Sequence, residues 1–285
     1  MRQNYTIIDA HCHIYPERVA AKAVDMTGNF YESSAAGTGL VQDLIAMGEA
    51  AGDDGYVVQS VASTPHHVAS INRFIAGAVA ADRAGGQSRL CGLGTLHPDT
   101  EDKSSALDEI VSLGLHGVKL HPDMQRFHID DPRAYAIYTA CIERGLPLLI
   151  HMGDPRYDFS HPDRLHRVLC DLPELVVVGA HMGGWDNWDY ACERLSGHAN
   201  LYVDSSSSIA AAGKHHGLEP EIIYLDRDHA VRLIRAWGAD KVLYGTDYPM
   251  WSPEADIRAF FELGLDESEN RAILSENARR VFNFY

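Results

Sequence analysis

The sequence predicts an α/β protein folded as a single-domain (β/α)8 barrel over residues 1–285, and three observations predict it. Its 285 residues suit one barrel, which needs about 250. Short apolar runs alternate with helical patterns along the chain, as parallel βα units require. Eight such runs can be named, and eight is the strand number of the barrel.

The runs are Thr6–Asp9, Gly55–Val61, Leu90–Thr95, Gly117–Leu120, Pro147–Ile150, Leu175–Ala180, Leu201–Asp204 and Val242–Gly245. Each is rich in Val, Ile, Leu or aromatic residues, as a strand buried on both faces should be. The helices between them carry readable ends. Asp131 caps a helix with Pro132 at its first position, Tyr135, Tyr138, Cys141 and Ile142 repeat on one face, and Gly145 stops it. The same logic places helices at Asp102–Leu113 before Gly114, at Pro162–Cys170, and at Arg227–Trp237 before Gly238. Two stretches break the alternation and read as loops over the barrel mouth: Tyr15–Gly39, and Ser205–Pro220 with its Ser, Ala, Gly and His. No repeat, linker or long charge block offers a domain boundary.

Composition narrows the function. Apolar residues at 46% and charged residues at 22% can build a large core. With 40 acidic against 24 basic residues, the net charge of -16 repels a nucleic-acid duplex or an anionic membrane, so the expected partner is a small-molecule substrate. The five cysteines are scattered without a C-x-x-C pair, which suggests neither a disulfide framework nor a thiolate zinc site and points to a reducing cytoplasm. No secretory signal is visible at the start, and no run approaches the ~18 apolar residues of a membrane span. Homo-oligomerisation is compatible with the size, though no interface can be named. Neither G-x-G-x-x-G nor G-x-x-x-x-G-K-[ST] follows an early strand, which argues against a nucleotide-dependent enzyme.

The chemistry gathers where strands end. The first strand runs into His11-Cys12-His13, and residues two apart on an extended chain project to one side, so both imidazoles can face one point. Lys119 ends the fourth strand, His151 follows the fifth, His181 the sixth and Asp247 the eighth. Parallel barrel strands present their C-terminal ends at a single mouth, so these distant groups are expected to converge there. Alone, His151 or His181 also reads as a core histidine and Asp247 as a turn cap; together the groups point to a site.

The motifs DAHCHIYP, GVKLHP, the His after PLLI, GAHMGG and GTDYP resemble the amidohydrolase superfamily, specifically its amidohydrolase-related branch. That branch contains hydrolases and decarboxylases similar to aminocarboxymuconate-semialdehyde decarboxylase. The resemblance runs from strand one to strand eight and implies a TIM barrel of the metal-dependent hydrolase type. It implies that His11, His13, His151 and Asp247 ligate a divalent ion and that His181 lies beside a metal-bound water. Zinc suits the mixed nitrogen and oxygen set, with manganese or iron as alternatives. Lys119 leaves two readings: a carboxylated lysine bridging two metals, with His151 and His181 on the second ion, or, as the favoured mononuclear reading has it, a charged mouth residue that holds a substrate carboxylate.

The expected function is a metal-dependent hydrolase acting on a small carboxylated molecule. The ion lowers the pKa of bound water toward about 7, and Asp247 or His181 takes the water proton and returns it to the leaving group. The alternative is a non-oxidative decarboxylase, in which His181 and the bound water help to protonate the carbon that loses CO2. An alternative of another class, a non-catalytic metal-binding barrel, would be expected to have lost a ligand. Weaker candidates for substrate contact are His121, Asp123, Asp154, Arg156 and Trp185 in rim loops, together with Arg126, and His66 and His67 after strand two. The Ser205–Ser208 run reads as a flexible loop, because no G-x-S-x-G elbow surrounds it.

Overall fold

The computed structural model describes residues 5–209 and 225–285, so the part of the Ser205–Pro220 stretch beyond Ile209 lies outside the described residues. Nine strand segments occur in the order β1 (Ile8–His13), β2 (Gly55–Gln59), β3 (Leu90–Gly92), β4 (Gly94–Thr95), β5 (Val118–Leu120), β6 (Leu148–Ile150), β7 (Val177–Gly179), β8 (Leu201–Asp204) and β9 (Val242–Leu243). They form two parallel runs, β1 to β3 and β4 to β9. β3 and β4 are the halves of the expected third strand, parted at Leu93. A Cβ on Gly92 would lie 2.7 Å from Leu115, and one on Gly94 2.7 Å from Ile110, so the side chains packed outside this strand press on it closely enough to require glycine.

The barrel closes where β1 meets the chain after β9. The Ala10 N–H donates to the Tyr244 carbonyl at 2.9 Å, and the Asp247 N–H donates to that of His11 at 2.9 Å. Cys12 and Tyr248 bridge in parallel. Eight barrel strands thus agree with the sequence expectation: most ends coincide with the expected limits or fall one or two residues inside them, and β1 runs on to His13, four residues past the expected Asp9.

Helices α1 (Glu17–Tyr31), α2 (Val41–Ala51), α3 (Val68–Ala84), α4 (Lys103–Ser112), α5 (Pro122–Gln125), α6 (Pro132–Arg144), α7 (Pro162–Asp171), α8 (Trp188–Leu195), α9 (Arg227–Trp237), α10 (Pro253–Glu262), α11 (Glu267–Arg271) and α12 (Asn277–Phe282) make up the outer layer. The Asp131 carboxylate accepts the Arg133 N–H at 2.8 Å to start α6, and Gly145 ends it at φ 63°. The Tyr15–Gly39 stretch corrects the sequence reading, for most of it is α1 rather than loop. Its ERVAAKAVDM segment is made of strong helix formers, which outweigh the glycine and serine that follow. Among the described residues no helix is long and apolar enough to cross a membrane.

Two cores result. Ile8, Ala10, Val57, Leu93, Leu149, Val178 and Leu243 fill the barrel, together with Phe282 and Phe284 from the C-terminal segment. The larger core lies between strands and helices and includes Leu44, Ile75, Leu107, Ile137, Leu165 and Leu233. Both cores leave the C-terminal ends of the strands to polar residues.

Candidate active site

β1 aims its histidines by breaking its own period. Ala10 packs inside the barrel and Cys12, two residues on, packs outside it. The β1–β2 register shifts between Asp9 and Cys12, a bulge that switches which alternate side chains face inward. Ala10 fills the interior below the bulge, and above it His11 and His13 take the interior positions.

The His11 and His13 Nε2 atoms are 3.2 Å apart, and each lies 3.4 Å from Asp247 Oδ1. Behind them, His11 Nδ1–H donates to Asp204 Oδ2 at 2.9 Å, which fixes the tautomer and leaves the Nε2 lone pair to accept from Lys119 Nζ. Burial, with Lys119 nearby, holds both imidazoles well below their usual pKa and therefore neutral. Lys119 Nζ is 2.9 Å from His11 Nε2 and fully buried. Burial lowers its pKa to about 8 against the opposing pull of Asp247 and Asp204. Asp247 sits in the left-handed backbone region at φ 64°, and its Oδ2 accepts from Ser207 Oγ at 2.9 Å. Burial pushes its carboxyl up to about 7, with the Lys119 charge opposing.

A second group lies beside the first. His151 Nδ1 is 2.9 Å from His181 Nε2, while His151 Nε2 lies 3.3 Å from the Tyr31 hydroxyl and 3.7 Å from Asp123 Oδ2. His121 stacks on His151 with ring centroids 3.9 Å apart, and its Nε2 is 2.8 Å from the Tyr31 hydroxyl. His181 Nδ1 is 3.1 Å from the Ser206 carbonyl, and burial lowers its pKa to about 4 against the pull of Asp204. Asp123 Oδ2 accepts from Ser160 Oγ at 2.6 Å, its buried Oδ1 has no partner among the described residues, and burial raises the carboxyl to about 7.

Tyr31, His151, His181, Trp185, Asp247, Met250 and Trp251 line a cleft of about 380 Å³. Gly153 adopts φ 82° and lets the Trp185 backbone cross above the His151 loop, where a Cβ would lie 2.3 Å from Trp185 N. Trp185 Nε1 is buried and has no partner among the described residues.

The sequence expectations fare unequally here. His11, His13, Lys119 and Asp247 come together, and His151 and His181 line the same cleft. Arg156 is occupied elsewhere: its fork grips Asp154 at 2.9 and 2.7 Å, donates to the Phe30 carbonyl, and stacks on the Phe30 ring at 4.6 Å. It anchors the end of α1, and the sequence could not rank that intramolecular partner above a substrate carboxylate. His66, His67 and Arg126 are exposed. Ser205–Ser208 is a packed network rather than a flexible loop: all four are buried, and Ser206 Oγ lies 3.0 Å from His181 Nδ1 and 3.1 Å from His11 Nδ1.

A family model described as Amidohydrolase matches residues 8–284, nearly the entire chain. The chain belongs to the amidohydrolase family. A curated 2-amino-3-carboxymuconate-6-semialdehyde decarboxylase from Dictyostelium discoideum is 25% identical over 186 residues. That match covers 56% of this chain and spans about half, 51%, of the relative's length. The 5-carboxyvanillate decarboxylase LigW from Sphingomonas paucimobilis shares the fold at TM-score 0.73 and 17% identity, covering 99% of this chain and 100% of its own. A dihydroxybenzoic acid decarboxylase from Polaromonas sp. JS666, solved with manganese and the inhibitor 2-nitroresorcinol, matches at TM-score 0.72 and 15% identity over 98% and 97% of the two chains. At these identities the two crystal structures establish the TIM-barrel fold.

The mouth of this amidohydrolase fits a divalent ion on its donor chemistry. One ligand atom each from His11, His13 and Asp247 lies within 4.8 Å of the others. Two neutral imidazoles, a carboxylate and the Asp204 carboxylate behind His11 are the donors and outer partner such an ion takes. His121, Asp123 and His151 form a second set with the same spacing limit. Two residues of the candidate site escaped the sequence reading. Tyr31 was hidden in the stretch read as loop, and Asp204 was counted as strand, although its place at a strand's C-terminal end was the signal available.

Proposed function

We propose that this chain is a non-oxidative decarboxylase of a small aromatic carboxylic acid, dependent on a divalent metal. The observation that carries the reading is the aromatic cleft itself. Trp185, Trp251 and Tyr31 wall a slot that also contains Asp247, His151 and His181, which suits a flat ring bearing a carboxylate. The curated decarboxylase relative and the two decarboxylases sharing the fold support this reaction over the hydrolysis expected from sequence.

His11, His13 and Asp247 hold the ion, with His151, which lines the same cleft as Asp247, as the fourth donor; manganese is favoured over zinc by the metal in the Polaromonas structure. When bound, the ion supplies a positive centre that orients the acid and stabilises negative charge developing on the ring. Decarboxylation breaks the bond between ring and carboxyl carbon, leaves its electron pair on the ring carbon, and requires one proton there. His181 is the candidate to handle that proton: its Nδ1–H donates to the Ser206 carbonyl at 3.1 Å, and its Nε2, 2.9 Å from His151 Nδ1, takes and returns the proton once it turns from His151 to the ring. Asp247, held through Oδ2 by Ser207, is the second proton-handling group at the ring edge. Lys119 keeps positive charge beside His11, where a substrate carboxylate gains most from it.

The test is to load the purified protein with Mn2+, offer a panel of hydroxybenzoic and methoxylated phenolic acids, and follow CO2 together with the ring absorbance. Release of CO2 with formation of the matching phenol is expected. Consumption of a lactone or ester in the same panel without CO2 would return the chain to the hydrolases.

A further inference from the structure

Far from the mouth, the fold assembles a second set of metal-competent side chains. His166 and Cys170 lie four residues apart on α7 and so share one face of that helix. His198 lies in the turn before β8, at the end of the barrel opposite the mouth. His166 Nδ1 is 2.9 Å from His198 Nε2, and Cys170 Sγ is 3.6 Å from His166 Nε2. One ligand atom from each of the three lies within 4.8 Å of the others. A tetrahedral zinc ion holds nitrogen and sulfur donors about 3.3 to 3.7 Å apart, so small side-chain rotations suffice to close the set.

We propose that His166, Cys170 and His198 form a separate site for a borderline-soft transition-metal ion of the Zn2+ class, with water at the fourth position. The absence of a C-x-x-C pair hid it, because His198 lies 32 positions after His166 in sequence and reaches the α7 pair only through the fold. Both imidazoles are half-buried and the thiol is exposed, which gives the ion an entry path. Cys170 is the exposed member of five free cysteines, the other four being buried. Binding exchanges the Cys170 thiol proton for a sulfur–metal bond and releases one proton to solvent. At the end of the barrel away from the cleft, the ion ties the last turn of α7 to the turn that feeds β8, a structural role independent of the reaction proposed above.

The experiment uses the full chain with its mouth metal in place. A thiol reagent such as dithionitrobenzoate should label one cysteine per native chain rapidly, and one equivalent of Zn2+ should slow that labelling by about tenfold or more, whereas Mg2+ should not. Co2+ in place of Zn2+ should give a thiolate-to-metal charge-transfer band in the near ultraviolet. Cys170→Ser should abolish the band and His198→Ala should weaken Co2+ binding by about tenfold, while CO2 release stays within about twofold of the parent in both. The proposal is overturned if Zn2+ leaves the labelling rate unchanged, or if the parent and Cys170→Ser give the same Co2+ spectrum. Loss of turnover in the panel above would leave these thiol and spectral readouts intact, so the two readings fail separately.

Discussion

The Asp204 carboxylate accepts the Nδ1–H of His11 at 2.9 Å, and its other oxygen accepts the backbone N–H of His181 at 3.1 Å. One side chain thereby orients an imidazole of the proposed metal set and the backbone of the proposed proton carrier. Asp204→Asn should therefore weaken Mn2+ binding by about 10- to 100-fold, with the circular dichroism of the fold retained. Isothermal titration with Mn2+ reads this directly, and an unchanged affinity would remove Asp204 from the site.

His181→Ala distinguishes the two readings of the metal centre. With His181 as proton carrier, the variant should keep its full Mn2+ content and lose about 10²- to 10⁴-fold in kcat. Loss of one of two equivalents of metal would instead place His181 on a second ion and bring back Lys119 as a bridge.

Trp185 offers a buried indole N–H over the cleft that has no partner among the described residues. Trp185→Phe keeps the aromatic wall and removes the donor. KM for an aromatic acid should rise by about five- to tenfold, the worth of one hydrogen bond, with kcat close to the parent. Steady-state kinetics that leave KM in place would show that the indole N–H does not meet the substrate.

Arg156 holds α1 rather than a ligand, through Asp154, the Phe30 carbonyl and the Phe30 ring. Arg156→Ala should cost about 1–3 kcal/mol of stability in urea denaturation. Its effect on KM should be no larger than that of displacing Tyr31 by substitution to Phe. A selective loss of substrate affinity at full stability would reverse this assignment.

Asp130 provides a stability test away from the cleft. Its burial favours the neutral acid, but hydrogen bonds from Arg164 and Arg167 outweigh it and depress the folded-state pKa. A depressed folded pKa stabilises above the unfolded carboxylate pKa and is lost as pH falls through the folded value. Asp130→Asn should cost about 1 kcal/mol at pH 7, and that deficit should shrink steadily once the pH drops below about 4. A deficit of constant size down to acid pH would mean that packing, not charge, is lost.

The strand ends were legible because a barrel strand must be apolar along its length, so that Lys119 near the end of its run, and His151, His181 and Asp247 just after theirs, stand out as polar groups. Asp204 follows the same rule, but the serines after it made the strand end look like the start of a loop. Tyr31 was unreadable for a different reason: its helix needed tertiary packing to distinguish it from a Gly- and Ser-rich connection, and its hydroxyl meets His121 and His151 from 90 and 120 residues away. Arg156 shows the limit on chemistry, since a guanidinium recognises a neighbouring Asp154 and a substrate carboxylate by the same bonds.

The register shift in β1 separates two jobs that a regular strand would bind together. Below it, Ile8 and Ala10 answer only to the volume of the barrel interior; above it, His11 and His13 answer only to the mouth. A packing change below that joint therefore acts on the barrel interior and a change above it on the mouth, with Asp9 tying the two together through the bond it accepts from the His11 N–H.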